Sequence, residues 1–327
     1  LAPRLGDLLF AREAPVGPVV RIPETLNVAP GQRTVLLRLD PLSVESDYLF
    51  YLLTSPEQQI RLLQKAEGST VPHLNVADVR SFELPTLPPL ETQKEIAEAL
   101  RALDDKIESN RRAQRFGEGV LRAQVEVLFQ ESDGEDAGAL SDYCSLVKEP
   151  VKVSELHSEL NYIGLEHVPR GSIFLDLWTS AEGLASNKSR FQAGDILFGK
   201  LRPYFKKVGV APVDGVCSTD ILVLRPHAAA LRAFIAVVAS SDPLIDSLSA
   251  SSTGTRMPRA SWNDLARWPV PRLTAEQQVR LESSTSLLLE RLTRLTFESK
   301  QLGQLRDTLL PELLSGRIRV PAERAAA

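Results

Sequence analysis

Cysteine is almost absent from this 327-residue chain, which holds Cys144 and Cys217 alone. Neither has a neighbouring cysteine or ligand cluster, so a disulfide framework is excluded and a reducing cytoplasm is the expected compartment. Histidine is nearly as scarce. His73, His157, His167 and His227 lie scattered, with no spacing that suits zinc. No apolar run approaches the ~20 residues that cross a bilayer, and no signal-peptide pattern opens the chain, so no membrane is expected. A Gly-x-x-x-x-Gly-Lys-Ser/Thr phosphate loop is missing, which leaves ATP hydrolysis without support. Asp220 and Asp264 lack the companion carboxylates of a metal nuclease. The chain is therefore expected to bind while other proteins react.

What is present in quantity is leucine at helical spacing. Residues 87–130 open Leu87-Pro88-Pro89-Leu90-Glu91-Thr92-Gln93. The two prolines set a boundary, and Thr92 with Glu95 reads as a capping box. Ile96, Leu100, Leu103 and Ile107, then Leu121, Val125 and Leu128, keep one heptad register. At ~1.5 Å per residue such a helix is roughly 60 Å long and needs a partner of equal length. Residues 273–316 supply it. Thr274 and Gln277 form a second capping box, and Leu281, Leu288, Leu295, Leu302 and Leu309 recur every seventh residue, with Leu292 and Leu313 between. Asn110, Gln114 and Gly117 interrupt the first stripe. Polar seam residues fix register, whereas Phe116-Gly117-Glu118-Gly119-Val120 is a place where the helix is open to loosening.

An internal repeat links the rest. Gly6-Asp7-Leu8-Leu9-Phe10 matches Gly194-Asp195-Ile196-Leu197-Phe198, each a turn feeding a short buried strand and then a basic loop. Val35–Arg38 matches Leu222–Arg225, another strand, and Tyr48–Leu53 matches Phe234–Ala239, a short buried helix. From Gly68 to Pro85 the offset stays at 186 without a gap, so Gly68-Ser69-Thr70 falls on Gly254-Thr255-Arg256 and Asp78 on Asp264. Gln93 is set against Gln277. Such a repeat outranks any single motif. The unit is one globular domain followed by one long helix, used twice. The second copy has residues 139–193 ahead of its Gly-Asp strand and the first has residues 1–5, so the first domain is expected to lack its N-terminal part. The expected layout is a first domain at 1–86, a long helix at 87–130, an acidic linker at 131–138, a second domain at 139–272, a second helix at 273–316 and a tail at 317–327. Two like units suggest a pseudo-two-fold relation, with the helices antiparallel and a domain at either end of the rod. The fold class is α+β, two mixed α/β domains separated by a two-helix coiled coil.

Net charge is −4, yet the basic residues are uneven. Residues 188–209 hold six cations against Asp195, a local +5, and residues 256–272 hold four arginines against Asp264, a local +3. Patches of this kind are what phosphate contact requires. Lys200, Arg202, Lys206 and Lys207 are the first candidates for DNA contact, in a loop held by Pro203 and Gly209, with Tyr204 and Phe205 bracing it. Thr255 and Arg256 come second, since a glycine turn brings backbone N–H near phosphate while arginine grips guanine. Arg12, Ser69 and Thr70 are their counterparts in the first copy.

The opening Leu87–Gln93 with Ile96 and Leu103-Asp104-Asp105-Lys106-Ile107 resembles the first conserved region of type I restriction-modification specificity subunits. Leu309-Leu310-Pro311-Glu312-Leu313-Leu314-Ser315-Gly316 is similar to the ending of the same family, and the Gly-Asp-Leu-Leu-Phe and Gly-Ser-Thr-Val-Pro segments to pieces of its target recognition domains. The second helix, opening Leu273-Thr274-Ala275-Glu276-Gln277, departs from the family in lacking the double proline. The resemblance implies a non-catalytic reader of a bipartite duplex DNA target. It implies modification subunits that methylate adenine with S-adenosylmethionine, a restriction subunit that uses ATP and Mg, and no cofactor on this chain. Two other readings stand beside it. A coiled-coil scaffold without DNA readout predicts no salt-dependent duplex binding, and the +5 patch speaks against it. The recognition part of a DNA methyltransferase predicts one recognition domain, where the repeat gives two. Phe116-Gly117-Glu118-Gly119 mimics a cofactor loop without its strand, and Leu87-Pro88-Pro89-Leu90 mimics a catalytic tetrad without its polar and aromatic members.

Overall fold

The structure is a computed structural model that describes residues 2–22, 28–68, 71–132, 137–251 and 258–321. It divides into two compact units, Leu1–Lys106 with Leu302–Ala327, and Ile107–Gln301. In chain order unit 1 has strands β1 (Leu8–Arg12), β2 (Val16–Arg21) and β3 (Thr34–Leu37), then helices α1 (Ser46–Thr54), α2 (Pro56–Lys65) and α3 (Val76–Arg80). The long helix α4 (Leu90–Glu131) follows and runs on into unit 2. Unit 2 continues with β4 (Ala137–Ala139), β5 (Cys144–Leu146), β6 (Pro150–Val151), β7 (Asn161–Ile163), β8 (Thr179–Ser180), β9 (Lys188–Phe191) and β10 (Ile196–Gly199). After them come β11 (Val208–Val210), β12 (Gly215–Cys217), β13 (Ile221–Pro226), α5 (Arg232–Ala239), α6 (Asp242–Ser251), α7 (Trp262–Ala266) and β14 (Pro269–Pro271). The second long helix, α8 (Ala275–Leu314), returns into unit 1.

The repeat predicted from sequence is present strand for strand. In unit 1 the sheet order is β2-β1-β3, and in unit 2 it is β11-β10-β13-β5. Leu8 faces Leu37 and Phe10 faces Val35, as Ile196 faces Leu224 and Phe198 faces Leu222. The Gly-Asp turn owes its recurrence to its aspartate. Arg38 donates through Nε and Nη2 to the two carboxylate oxygens of Asp7 at 3.0 and 2.7 Å, and Arg225 does the same to Asp195 at 2.9 and 2.8 Å. Both aspartates are buried, and a buried carboxylate needs a paired, bidentate partner. The 186-residue offset also holds, because α3 and α7 are both five-residue helices whose N-terminal turns engage Asp78 and Asp264. Unit 2 adds a five-stranded sheet, β6-β9-β12-β7-β8, in which β7 and β12 alone are parallel.

Each unit closes its core on its own stretch of the two long helices. In unit 1, Ile96, Leu100, Leu310 and Leu313 join Leu8, Phe10, Tyr48 and Leu52 in one apolar cluster. Arg306 Nη1 reaches Asp104 at 2.6 Å, and the Tyr51 hydroxyl donates to the same carboxylate at 2.6 Å. In unit 2, Leu121, Val125, Leu128, Leu281, Leu289 and Leu292 join Phe198, Leu224 and Phe234. Buried Glu118 accepts from Ile173 N–H at 3.1 Å and from Arg122 at 2.6 Å, which pins this part of unit 2 to α4. The partners run in opposite directions along the chain, so the helices are antiparallel.

Four details of the helices differ from the sequence reading. First, α4 starts two residues before Thr92, with Gln93 N–H on the Pro89 carbonyl at 3.0 Å, so Thr92 and Glu95 lie inside the helix. The proline pair ends the preceding segment with a fixed φ that suits a helix start. The Thr274–Gln277 box does form, at 2.9 and 3.2 Å. Second, Gln93 corresponds to Gln278 rather than Gln277. Each donates from Nε2 to the carbonyl five residues back, Pro88 at 2.8 Å and Leu273 at 3.3 Å. Third, Leu288, Leu295 and Leu309 are only half-buried, while Leu289, Thr296 and Leu310 take the seam. Fourth, α4 is unbroken through Gly117 and Gly119.

The seam explains the last two. Asn110 donates from Nδ2 to Ser299 Oγ at 3.2 Å and to Glu298 Oε2 at 3.0 Å. Gln114 donates from Nε2 to the Leu292 carbonyl at 3.0 Å and to Thr296 Oγ1 at 2.9 Å. A stripe of leucines cannot reveal a centre made of threonine, serine and amides. Gly117 is where Leu292 crosses, since a Cβ there would lie 2.3 Å from Leu292 Cδ1 and 2.8 Å from Cδ2. Gly119 has open space instead. Gly117→Leu is expected to destabilise the chain by about 1–3 kcal/mol through overpacking. Gly119→Ala is expected to stabilise it by about 0.5–1 kcal/mol through helix propensity. Urea unfolding of both variants checks the pair of opposite signs.

A pH dependence follows from the turn aspartate. The Arg38 guanidinium, by hydrogen bonding first and its charge later, holds the Asp7 carboxyl below its ordinary value against the opposing effect of burial. A depressed carboxylate contributes stability above its unfolded pKa of about 3.9 and loses it as pH falls through the folded value. Asp7→Asn should therefore flatten the acid limb of a stability-against-pH curve below about pH 4; an acid limb of unchanged steepness would contradict the assignment.

Candidate nucleic-acid interface

The basic loop of unit 2 runs from the end of β10 to the start of β11. A 3-10 turn, Pro203–Phe205, occupies its middle, bracketed by Arg202 at φ +51° and Lys206 at φ +49°. Side-chain-bearing residues in the left-handed region cost of order 1 kcal/mol each and persist where surroundings impose them. The surroundings are visible. Arg202 N–H donates to the Pro258 carbonyl at 3.0 Å, Phe205 N–H to the Arg202 carbonyl at 2.9 Å, and Gly171 N–H to the Lys206 carbonyl at 3.3 Å. Pro258 and Gly171 hold the loop from two neighbouring segments, the Phe205–Arg202 bond closes its own turn, and Arg202 and Tyr204 are exposed.

Those side chains divide by occupation. Lys200 Nζ donates to the Thr219 carbonyl at 2.6 Å. Lys206 is ion-paired with Asp242, and Lys207 donates to the Leu165 carbonyl. Burial first, and the neighbouring Arg170 charge second, push the Lys207 ammonium below its ordinary pKa. Arg202 is exposed and has no ion-pair partner among the described residues. Beside it Arg170 lies flat over the Phe205 ring, its guanidinium carbon 3.9 Å from the centroid, while Tyr204 meets Phe205 edge-on at 4.7 Å. Leu165, Arg170, Leu201, Arg202, Phe205 and Lys207 line a depression of about 270 Å³. Arg259 adds a further exposed guanidinium, 3.6 Å from Asp220 in the turn before β13. A guanidinium stacked on an aromatic keeps its edge donors available for a phosphate or a base edge.

Arg170 was missed in the sequence, where Arg170-Gly171-Ser172 carries no signal of its own and only tertiary stacking on Phe205 brings it to the loop. The +5 patch is also thinner than composition suggests, since Lys188 is buried and donates to Ser186. Thr255 and Arg256, with Ser69 and Thr70, lie outside the described residues.

Arg12 has a structural task that its counterpart shares. It donates to the Gln32 carbonyl through Nε and Nη2 at 3.3 and 3.2 Å, and through Nη1 to Leu74 at 3.1 Å. Its own carbonyl accepts from Leu74 N–H at 2.8 Å, as that of Lys200 accepts from Ala260 N–H at 2.9 Å. Gln32 and Thr219 are equivalent positions of the repeat. Arg12 and Lys200 are thus matched ties between sheet and crossing loop.

Residues 3–115 match the family described as the Type I restriction modification DNA specificity domain. Over that stretch and beyond it the chain is similar to type I restriction-modification specificity subunits. It is 24% identical over 281 residues to the type I restriction enzyme EcoDI specificity subunit of Escherichia coli, covering 73% of this chain and 61% of that protein. It is 34% identical over 106 residues to a putative type I restriction enzyme MjaX specificity subunit of Methanocaldococcus jannaschii, covering 32% of this chain and 24% of the relative. The chain therefore spans less than two thirds of the length of these curated relatives. In fold it is similar to the crystal structure of a type I restriction-modification system S subunit from M. genitalium, with a TM-score of 0.57 at 18% identity over 96% of this chain and 84% of that one. Among the described residues no single helix is long and apolar enough to cross a membrane.

The repeat makes a paired prediction. Lys200→Met and Arg12→Met should each lower stability by about 1 kcal/mol, the net worth of the lost hydrogen bonds. Arg202→Met should leave stability within about 0.5 kcal/mol of the parent, as exposed substitutions do. Thermal unfolding of the three variants distinguishes ties from free cations.

Proposed function

We propose that the chain is the non-catalytic DNA-reading subunit of a type I restriction-modification complex. Unit 2 reads duplex DNA through the Arg202 and Arg170 loop, with Lys206, Lys207 and Arg259 around it. The observation that carries this reading is the left-handed anchoring, by two neighbouring segments, of a loop whose exposed Arg202 has no ion-pair partner among the described residues. Strain of that kind collects at functional positions. Thr255 and Arg256 are proposed as additional contacts, and Ser69 and Thr70 as their counterparts in the first copy of the repeat. Arginine at a groove edge discriminates bases, while the lysines meet phosphate.

Two readers give a bipartite target with a constant gap when their separation is fixed. In support, α4 and α8 are continuous over 42 and 40 residues, about 60 Å each at 1.5 Å per residue. The hydrogen-bonded amides in their seam lock the register. Groove positions on one face of B-DNA recur about every 34 Å, a span within reach of helices of this length.

The partners in this reading are adenine-modifying subunits using S-adenosylmethionine and a restriction subunit using ATP and Mg, with no cofactor on this chain. Their docking face is supported by an exposed apolar stripe on α4, Phe116 at 80% exposure with Val120 and Val127 four and eleven residues on, all on one side of the helix.

The test is duplex binding by the chain together with its modification subunit across a salt series. Arg202→Ala should weaken binding about tenfold and reduce the salt slope by about 1. An unchanged slope and affinity for Arg202→Ala and Arg170→Ala would contradict the assignment of this loop.

A further inference from the structure

One side of α4 within unit 2 is lined with arginine. Arg111, Arg115 and Arg122 follow one another at steps of four and seven, which places all three within about 40° of arc at 3.6 residues per turn. The apolar stripe of Phe116, Val120 and Val127 lies about 140° round the helix and is a separate face. Opposite the arginines runs the segment 169–176, and the two enclose a cleft of about 460 Å³. Arg170 brings a fourth guanidinium, so the lining holds four arginines against Glu118 and Asp176, a local +2.

The walls of this cleft are fixed while its donors are loosely held. Buried Glu118 ties Ile173 N–H to α4 at 3.1 Å, and buried Gln114 is anchored on Thr296 at 2.9 Å. Arg111 meets Asp176 at 3.3 Å across the cleft, and Arg115 meets Glu108 at 2.8 Å along its own helix. Both arginine side chains are more than half exposed, and exposed ion pairs contribute little, so either can exchange its carboxylate for another oxyanion. Arg170 is exposed and makes no ion pair among the described residues. A Cβ on Gly119 would have nothing within 4 Å, so the cleft is open at that point.

The size and position of the cleft indicate what fills it. Arg170 lines both this cleft and the depression beside Arg202, so the two form one basic surface. From Arg111 to Arg122 the helix rises about 16 Å, a length over which one strand of B-DNA carries about five phosphates. A lone ion needs far less room, since one water takes about 30 Å³.

We propose that the arginine face of α4 is a phosphate track, receiving the sugar-phosphate backbone of the duplex beside the Arg202 loop. The proposal rests on the reading that this loop meets DNA, and it adds contacts from the long helix itself. Arg111 and Arg115 meet phosphate and read no base edge. An acidic segment of a partner protein would use the same donors, but continuity with the loop favours DNA.

The experiment measures binding of a mixed-sequence duplex of about 40 base pairs, four helical turns, by the chain with its modification subunit across a salt series. The double variant Arg111→Gln, Arg115→Gln should bind about tenfold more weakly, with a salt slope lower by about 2 and the ranking of different duplexes unchanged. Gly119→Glu, which adds a negative charge where there is open space, should also weaken binding severalfold. Parental affinity and slope in both, with Arg202→Ala still impaired, would overturn the track and leave the loop in place. Parental binding in all three would overturn the loop reading and the track with it. Loss of the modification subunit from the cleft variants with duplex binding intact would assign the arginines to an acidic partner segment and likewise overturn the proposal.

Discussion

Everything in this chain is built against one interface, the antiparallel seam of α4 and α8. Neither helix is stable alone at this length without burying a face. Each unit completes its core with side chains from both helices, Ile96, Leu100, Leu310 and Leu313 in one case and Leu121, Val125, Leu281 and Leu292 in the other. The seam is not uniformly oily. Its centre holds Asn110, Gln114, Thr296 and Ser299, all buried and hydrogen-bonded. A one-residue slip would leave those amides unpaired, at about 1–3 kcal/mol for each buried group. An all-leucine seam would tolerate a slip far better. The polar centre exchanges some adhesion for a single register.

The same economy shapes the sheets of the two units. A buried aspartate at the Gly-Asp turn, held by the arginine that ends the opposing strand, fixes the sheet in each. A cation at the head of the next loop, Arg12 or Lys200, ties that loop across the sheet edge. The frame is thus set by charged groups satisfied internally, and the remaining cations are released for contact. Lys188, Lys200 and Arg12 are charges spent on the fold, while Arg202 and the stacked Arg170 face outward.

The sequence made the architecture legible because a repeat is a long signal. Strand pairs, cap helices and both long helices fall where the two copies agree. The misses share a physical cause. Reading leucine as the seam placed Leu288, Leu295 and Leu309 at the centre, although they flank it and pack toward the recognition folds. Threonine and serine at the true centre are invisible to hydropathy, since their burial depends on amides 182 and 189 residues away in sequence. The Thr92 box was plausible by spacing, yet the proline pair already starts the helix. Gly117 reads as a helix weakness until the crossing Leu292 is known. Arg170 joins the loop only through its contact with Phe205.

Adenine-methylation mapping in cells that express the chain with its modification subunit tests the central claim most directly, comparing the parent with a variant carrying one extra heptad at matched depth in α4 and α8. Seven residues add about 10 Å while keeping the seam face, so the recognised half-sequences should stay the same and the gap between them should lengthen by about three base pairs. An unchanged gap, or an undivided motif in the parent, would contradict an account in which the seam register sets the spacing.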